Sequence, residues 1–236
     1  MIDVKQYREE GYLYDSLENY TDLISFEDFK HIKNFIDPTT IKRYSKYDYW
    51  FKYKELSYIE ELHYDTYLIR DKNLNKADEL FSLAHSYQLK KMEEEHMFPT
   101  WVFGTSKNMD INSIINNGVI TNFEKNFVKK YYPENDNTSF EEVSKLQFYD
   151  KGCEIKLHDD GQPGNRICVF LFFLNNEWNE ENGGHLILYT KDNQIIKIKP
   201  TFPNFVVLDS DINLLHEVEK VKNDIKYNIV SFLSNK

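Results

Sequence analysis

Cysteine is nearly absent: Cys153 and Cys168 are the only two in 236 residues. Two thiols cannot build a disulfide framework, and both read as small buried hydrophobes rather than redox or ligand groups. Positive charge is also in deficit, with 29 Lys and Arg against 39 Asp and Glu and a formal net charge of -10. That balance repels a phosphate backbone and argues against non-specific nucleic-acid binding, while it leaves room for a basic protein partner. Local basic pairs such as Lys129-Lys130 read as solvated surface. Long apolar runs are missing too: none approaches the roughly 20 residues needed to cross a bilayer. The charged opening, with Asp3, Lys5, Arg8, Glu9 and Glu10, resembles no signal peptide. A soluble cytoplasmic protein with no membrane partner is the expectation, and the oligomeric state is left open.

At 28.4 kDa the chain is long enough for a sizeable core and a complete enzyme. Its first part reads mainly as helix. Ser25 and Asp28 stand at capping-box spacing ahead of Phe26, Phe29, Ile32, Phe35 and Ile36, which share one helical face until Asp37-Pro38. A second helical pattern covers 76–95, where Leu80, Leu83, Ala84, Tyr87 and Met92 recur before Pro99. The 50–70 stretch fits either strand or helix.

From about Thr138 the pattern changes to short β-branched and aromatic segments separated by Gly, Asn and Pro. Strands are expected at 146–157, 167–174, 185–189, 194–199, 205–208 and 227–233. Many short antiparallel strands imply a barrel or jelly roll rather than a parallel doubly wound sheet. The fold class is therefore α+β with a mainly β core. The best boundary is the loop at 135–139, giving a mainly helical support region over 1–137 and a catalytic core over 138–236, the two sharing one integrated domain.

The motif that carries chemistry is Leu157-His158-Asp159-Asp160-Gly161, answered by His216 in Leu215-His216-Glu217-Val218. On a strand, residues two apart face the same way, so His158 and Asp160 can point together into a barrel while Asp159 points elsewhere. With a distant His216 they form the two-imidazole, one-carboxylate set of a mononuclear non-haem iron(II) site that leaves positions open for oxygen. A His-x-Asp triplet alone is a frequent surface turn; its surroundings give it weight. The four histidines His31, His63, His85 and His96 of the helical half read as surface or satisfied polar groups.

Those surroundings are Tyr149-Asp150-Lys151-Gly152, Asn165-Arg166-Ile167-Cys168-Val169, Leu174-Asn175-Asn176-Glu177-Trp178, Gly183-Gly184-His185-Leu186 and His216-Glu217-Val218. In order and approximate spacing they resemble the prolyl-hydroxylase-like branch of the Fe(II)- and 2-oxoglutarate-dependent dioxygenases, from about Gln147 to Phe232. The resemblance implies a double-stranded β-helix, or jelly roll, supported by N-terminal helices. It implies His158, Asp160 and His216 as iron ligands and catalytic centre. It also implies that Lys226, ten residues past His216, holds the distal carboxylate of 2-oxoglutarate. A lysine supplies a point charge without the two-pronged donor pattern of arginine, so the pocket should recruit a further donor. Phe173 departs from the family, which commonly places at this position a Tyr whose hydroxyl holds the same carboxylate; phenylalanine has no such donor. Tyr149, nine residues before His158, is the leading replacement, ahead of Tyr189 and Tyr227. Arg166 is implied as a substrate contact, with a structural ion pair as its alternative. Gly183-Gly184 reads as a tight turn, Trp178 as its packing anchor, and His185 as a packed strand-entry residue rather than a fourth ligand.

The implied activity is hydroxylation of an unactivated C–H, with Fe(II), 2-oxoglutarate and O2 as cofactor and co-substrates and ascorbate as a candidate reductant. A prolyl residue of a peptide or protein is the leading substrate. A free amino acid or small metabolite is the alternative within the same chemistry, and a non-catalytic metal- or ligand-binding barrel serving protein interaction is the alternative outside it.

Overall fold

The computed structural model describes residues 4–25, 28, 101–103, 119–135, 140–149, 151–152, 154–160 and 165–235. The expected helix over 76–95, most of the one after Ser25, the 50–70 stretch, the four N-terminal histidines and Cys153 lie outside the described residues. At Ser25, Asp28 N–H donates to Ser25 Oγ at 3.1 Å and Ser25 Oγ donates to Asp28 Oδ2 at 2.7 Å, the capping contact that the spacing suggests.

The described elements run α1 (Val4–Glu10), β1 (Tyr12–Ser16), β2 (Trp101–Phe103), α2 (Val119–Tyr131), β3 (Phe140–Tyr149), β4 (Ile155–His158), β5 (Arg166–Phe173), β6 (Leu186–Tyr189), β7 (Ile195–Ile198), β8 (Asn204–Asp209), β9 (His216–Val218) and β10 (Lys226–Asn235). They form a six-stranded sheet of order β1-β8-β5-β10-β3-β2 and a four-stranded sheet of order β4-β9-β6-β7. Every ladder in both sheets is antiparallel.

β5 shows why the large sheet is central. Its sequence, RICVFLFF, is apolar without alternation, and every residue after Arg166 is buried, as a strand covered on both faces requires. Phe170 and Phe172 turn outward to α2. There Phe123 meets Phe170, Phe172 and Phe205 edge-on at centroid separations of 6.3, 5.8 and 5.3 Å, and Phe127 meets Phe170 at 5.3 Å. The helix presents Val119, Ile120, Phe123, Phe127, Val128 and Tyr131 on one stripe at helical spacing. Each ring so buried contributes about 1.5–3 kcal/mol. The other face of β5, with Val169 and Phe173, looks toward the small sheet and the site.

The structure differs from the sequence reading in two places. The expected strand over 146–157 is two strands in different sheets: β3 ends at Tyr149 in the large sheet, and β4 begins at Ile155 in the small one. The corner at Lys151-Gly152 is fixed by Gly152 N–H donating to Val221 O at 2.8 Å, a contact invisible to local pattern. The N-terminal region also contributes both edge strands of the large sheet: β2, which pairs with β3 from Trp101↔Phe148 to Phe103↔Leu146, and β1, which pairs with β8 from Tyr12↔Leu208 to Ser16↔Asn204. Gly11 makes the turn from α1 into it. Its φ is +84°, and its N–H caps the helix on Tyr7 O at 2.9 Å.

Candidate active site

β4 and β9 place the two imidazoles. His158 and His216 are directly opposite in the ladder, past a bulge that begins at Ile155, and their ring centroids stand 4.4 Å apart. Asp160 follows just beyond the end of β4, its Oδ2 3.7 Å from His216 Nε2. One ligand atom from each of His158, Asp160 and His216 lies within 4.8 Å of the others. Among the described residues no other group of three His, Cys, Asp or Glu side chains converges in this way.

The backbone fixes which ring nitrogen is free. His158 Nδ1 is 2.7 Å from Lys156 O, and His216 Nδ1 is 2.9 Å from Leu214 O. A carbonyl can only accept, so each Nδ1 carries a proton and Nε2 is the ring atom left for a metal, the arrangement a metal-binding imidazole needs. Burial pushes the His216 pKa down, against the opposing effect of Asp160, which keeps this ring neutral and able to coordinate. The donor set of two imidazoles and a carboxylate fits Fe(II). Asp160 and His216 share a small recess with Val169, Leu208 and Asp209.

Arg166 supports the centre from behind. Its Nη1 donates to the main-chain oxygen of Asp160 at 2.6 Å, and its guanidinium stacks 4.5 Å from the Phe232 ring centroid. It therefore positions the segment bearing Asp160.

Lys226 opens β10, directly opposite Tyr149 of β3. The residue is 1% exposed, and no carboxylate of the described residues pairs with it. Its ammonium lies 4.7 Å from the Tyr149 ring centroid and 5.9 Å from that of Phe173, close enough for a cation–π contribution. Burial pushes its pKa down to about 7. A Cβ placed on Gly184 would stand 3.6 Å from Lys226 Cδ, so the side chain runs between the sheets toward the start of β6. A buried cation walled by aromatic rings fits an anionic ligand.

The Tyr149 hydroxyl donates to Gln147 Oε1 at 3.0 Å, and Asn228 Nδ2 donates to the same oxygen at 2.9 Å. Tyr149 thus meets Lys226 with its ring face, while its hydroxyl joins the part-buried Gln147–Asn228 amide pair. Tyr189 donates to Glu217 Oε1 at 2.8 Å on the outer side of the small sheet, and Tyr227, next to Lys226 on the strand, takes the opposite face. His185 sits between Glu180, 2.9 Å from Nε2, and Glu219, 2.8 Å from Nδ1; it is not part of the converging triad. Trp178 is buried, and its Nε1 donates to Gly183 O at 2.7 Å, so it holds the turn by a hydrogen bond as well as by packing.

Asn175 was assigned no role from sequence. Its Nδ2 donates to Ile225 O and its Oδ1 accepts from Tyr227 N, both at 2.8 Å. The pair brackets Lys226 and fixes the strand that carries it. Its place in the Leu174-Asn175 motif was the available signal.

With the triad and jelly roll in place, residues 144–234 match the family model of the 2OG-Fe(II) oxygenase superfamily. The match covers the strand-rich part of the chain, where His158, Asp160 and His216 stand. By sequence, no curated protein matches the chain. Among solved structures it is similar to a prolyl-4-hydroxylase from Pseudomonas putida, with TM-score 0.64 and 11% identity over 99% of this chain and 97% of that one. It is also similar to a prolyl hydroxylase from Trichoplax adhaerens in complex with a hypoxia inducible factor oxygen degradation domain peptide fragment, with TM-score 0.61 and 14% identity over 98% and 87%. AviO1 from Streptomyces viridochromogenes gives TM-score 0.54 and 11% identity over 98% and 92%. At these identities the likeness establishes the fold, a double-stranded β-helix of the 2-oxoglutarate oxygenase type.

Proposed function

We propose that the enzyme hydroxylates a prolyl residue of a peptide or protein, with His158, Asp160 and His216 holding Fe(II) and Lys226 holding the distal carboxylate of 2-oxoglutarate. The convergence of the three ligand atoms within 4.8 Å carries this reading. Bound Fe(II) supplies the redox chemistry by which O2, 2-oxoglutarate and substrate become succinate, carbon dioxide and hydroxylated product. The chain's own residues do the rest. The carbonyls of Lys156 and Leu214 accept from the two Nδ1 atoms, which leaves each Nε2 as the ring atom available to a metal. Asp160 supplies the anionic ligand and Arg166 fixes its main chain, its guanidinium being the candidate contact for a substrate carbonyl. The Tyr149 and Phe173 rings exclude water from Lys226.

The prolyl assignment draws support from two fold relatives that are prolyl hydroxylases, one of them bound to a peptide fragment. The N-terminal support region and the core act as one unit in this reading, since β1 extends the large sheet and α2 covers it. Ascorbate is the proposed reductant that sustains turnover, and the cytoplasm the proposed location. Among the described residues no helix is long and apolar enough to cross a membrane. The test is mass analysis of proline-containing peptides and free amino acids incubated with enzyme, Fe(II), 2-oxoglutarate and O2. Addition of one oxygen to a prolyl residue, with one succinate per event, is expected; oxidation of free amino acids alone would move the substrate to the small-molecule class.

A further inference from the structure

The cation at Lys226 is held in a setting that favours losing its charge. It comes from β10 and meets Tyr149 of β3, Phe173 of β5 and the backbone at Gly184 before β6. Tyr149 is the only titratable side chain that the described residues bring against it, and that hydroxyl is turned to Gln147. The acids of β9 and of the turn before β6 hold other partners: Glu180 and Glu219 contact His185, and Glu217 accepts from Tyr189. No described carboxylate offsets the burial, and desolvation alone shifts the group, to a pKa of about 7. Asn228, two residues along the same face, keeps a buried Oδ1 without a hydrogen-bond partner among the described residues. A dicarboxylate end entering this pocket would bring the missing charge, and a buried ammonium paired with a carboxylate regains its proton.

We propose that the Lys226 pocket is a proton-linked carboxylate site, taking up one proton with the distal carboxylate of 2-oxoglutarate so that affinity for this co-substrate weakens as the medium becomes alkaline. The inference rests on the reading of Lys226 as the residue that holds the co-substrate. The balance is simple: the pocket's neutral amine, a solvent proton and the carboxylate give a buried ammonium–carboxylate pair, with no bond broken in the ligand. An arginine in the same place could not act in this way, because its guanidinium stays charged throughout.

The test is anaerobic calorimetry of 2-oxoglutarate binding to the Fe(II)-loaded full chain at pH 8, in two buffers of different ionisation enthalpy, for wild type and Lys226→Arg. Close to one proton taken up by wild type and none by Lys226→Arg is the expected result. Across pH 6.5 to 8.5 the wild-type Kd should rise roughly 25-fold, as one group titrating near pH 7 requires. Wild type that binds without proton uptake, or an uptake unchanged in Lys226→Arg, overturns the inference and leaves the co-substrate reading standing. Failure of the Fe(II)-loaded wild type to bind 2-oxoglutarate at all overturns that reading, and the inference with it. If Lys226→Arg does not fold, a flat wild-type Kd across the pH series is by itself sufficient to overturn the proposal.

Discussion

Two carbonyl groups decide how the ligand histidines behave. Because Lys156 O and Leu214 O engage Nδ1 of His158 and His216, each ring is oriented before metal arrives, and less entropy is lost when it binds. His158→Ala and Asp160→Ala should each remain folded but lose stoichiometric Fe(II) and turnover, read by metal analysis and succinate release; normal iron content and rate in both would contradict the assignment. Lys226→Glu should remove 2-oxoglutarate affinity by placing a like charge against the co-substrate, visible as a steep rise in its KM while Fe(II) binding persists. Asn175→Ala leaves the Ile225 carbonyl and the Tyr227 N–H without these partners. A cost of about 1–3 kcal/mol follows for part-buried polar groups left unpaired, and denaturant unfolding should show it together with weaker co-substrate binding.

Strands and turns set the distances that residues alone cannot. The direct opposition of His158 and His216 depends on the bulge between Ile155 and His158, which shifts the β4–β9 register; a slip of one residue would turn a histidine away from the centre. Across the small sheet, the turn between β5 and β6 is held by Trp178 on Gly183 O. Gly183 has φ of +66°, and a Cβ there would fall 2.1 Å from Lys220 O. Gly183→Ala should therefore cost at least the roughly 1–3 kcal/mol of a non-glycine residue in this conformation. The displaced strand end should also raise the KM for 2-oxoglutarate, because Gly184 packs on Lys226. A variant with unchanged Tm and KM would contradict this role for the turn.

At the scale of the whole molecule, the N-terminal helix is joined to the back of the large sheet by a polar cluster. Arg8 lies 3.4 Å from Asp209 Oδ2 and 4.2 Å from the Tyr132 ring centroid, and the Tyr132 hydroxyl donates to Asp209 at 3.1 Å. Burial raises the Asp209 pKa above 3.8 despite these partners. The native state thus holds this proton more tightly than the unfolded chain does. Its contribution to stability is present in full below the ordinary carboxylate value and is lost as pH rises through the raised native one. Asp209→Asn removes that loss, so its stability relative to wild type should improve with rising pH across this window. Denaturant midpoints at a series of pH values check the sign, and a difference independent of pH would contradict it.

The sequence by itself determined the candidate triad and the order of most core strands, because a two-residue spacing on a strand and an unbroken apolar run are local properties. His158-x-Asp160 can be read without knowing where the chain goes next. Whether the run over 146–157 is one strand or two could not be read, because the corner depends on Gly152 meeting Val221, far along the chain. The strand β1 stayed hidden for the same reason: its five residues alternate only weakly in burial, as β1 takes its place from pairing with β8. Tyr149 shows the limit most plainly. Its type and spacing suggested a hydroxyl for the co-substrate, and packing turned that hydroxyl to Gln147 and the ring to Lys226. Local pattern determined which groups are present, and the crossing of the two sheets decided which of them face one another and how far Lys226 is removed from water.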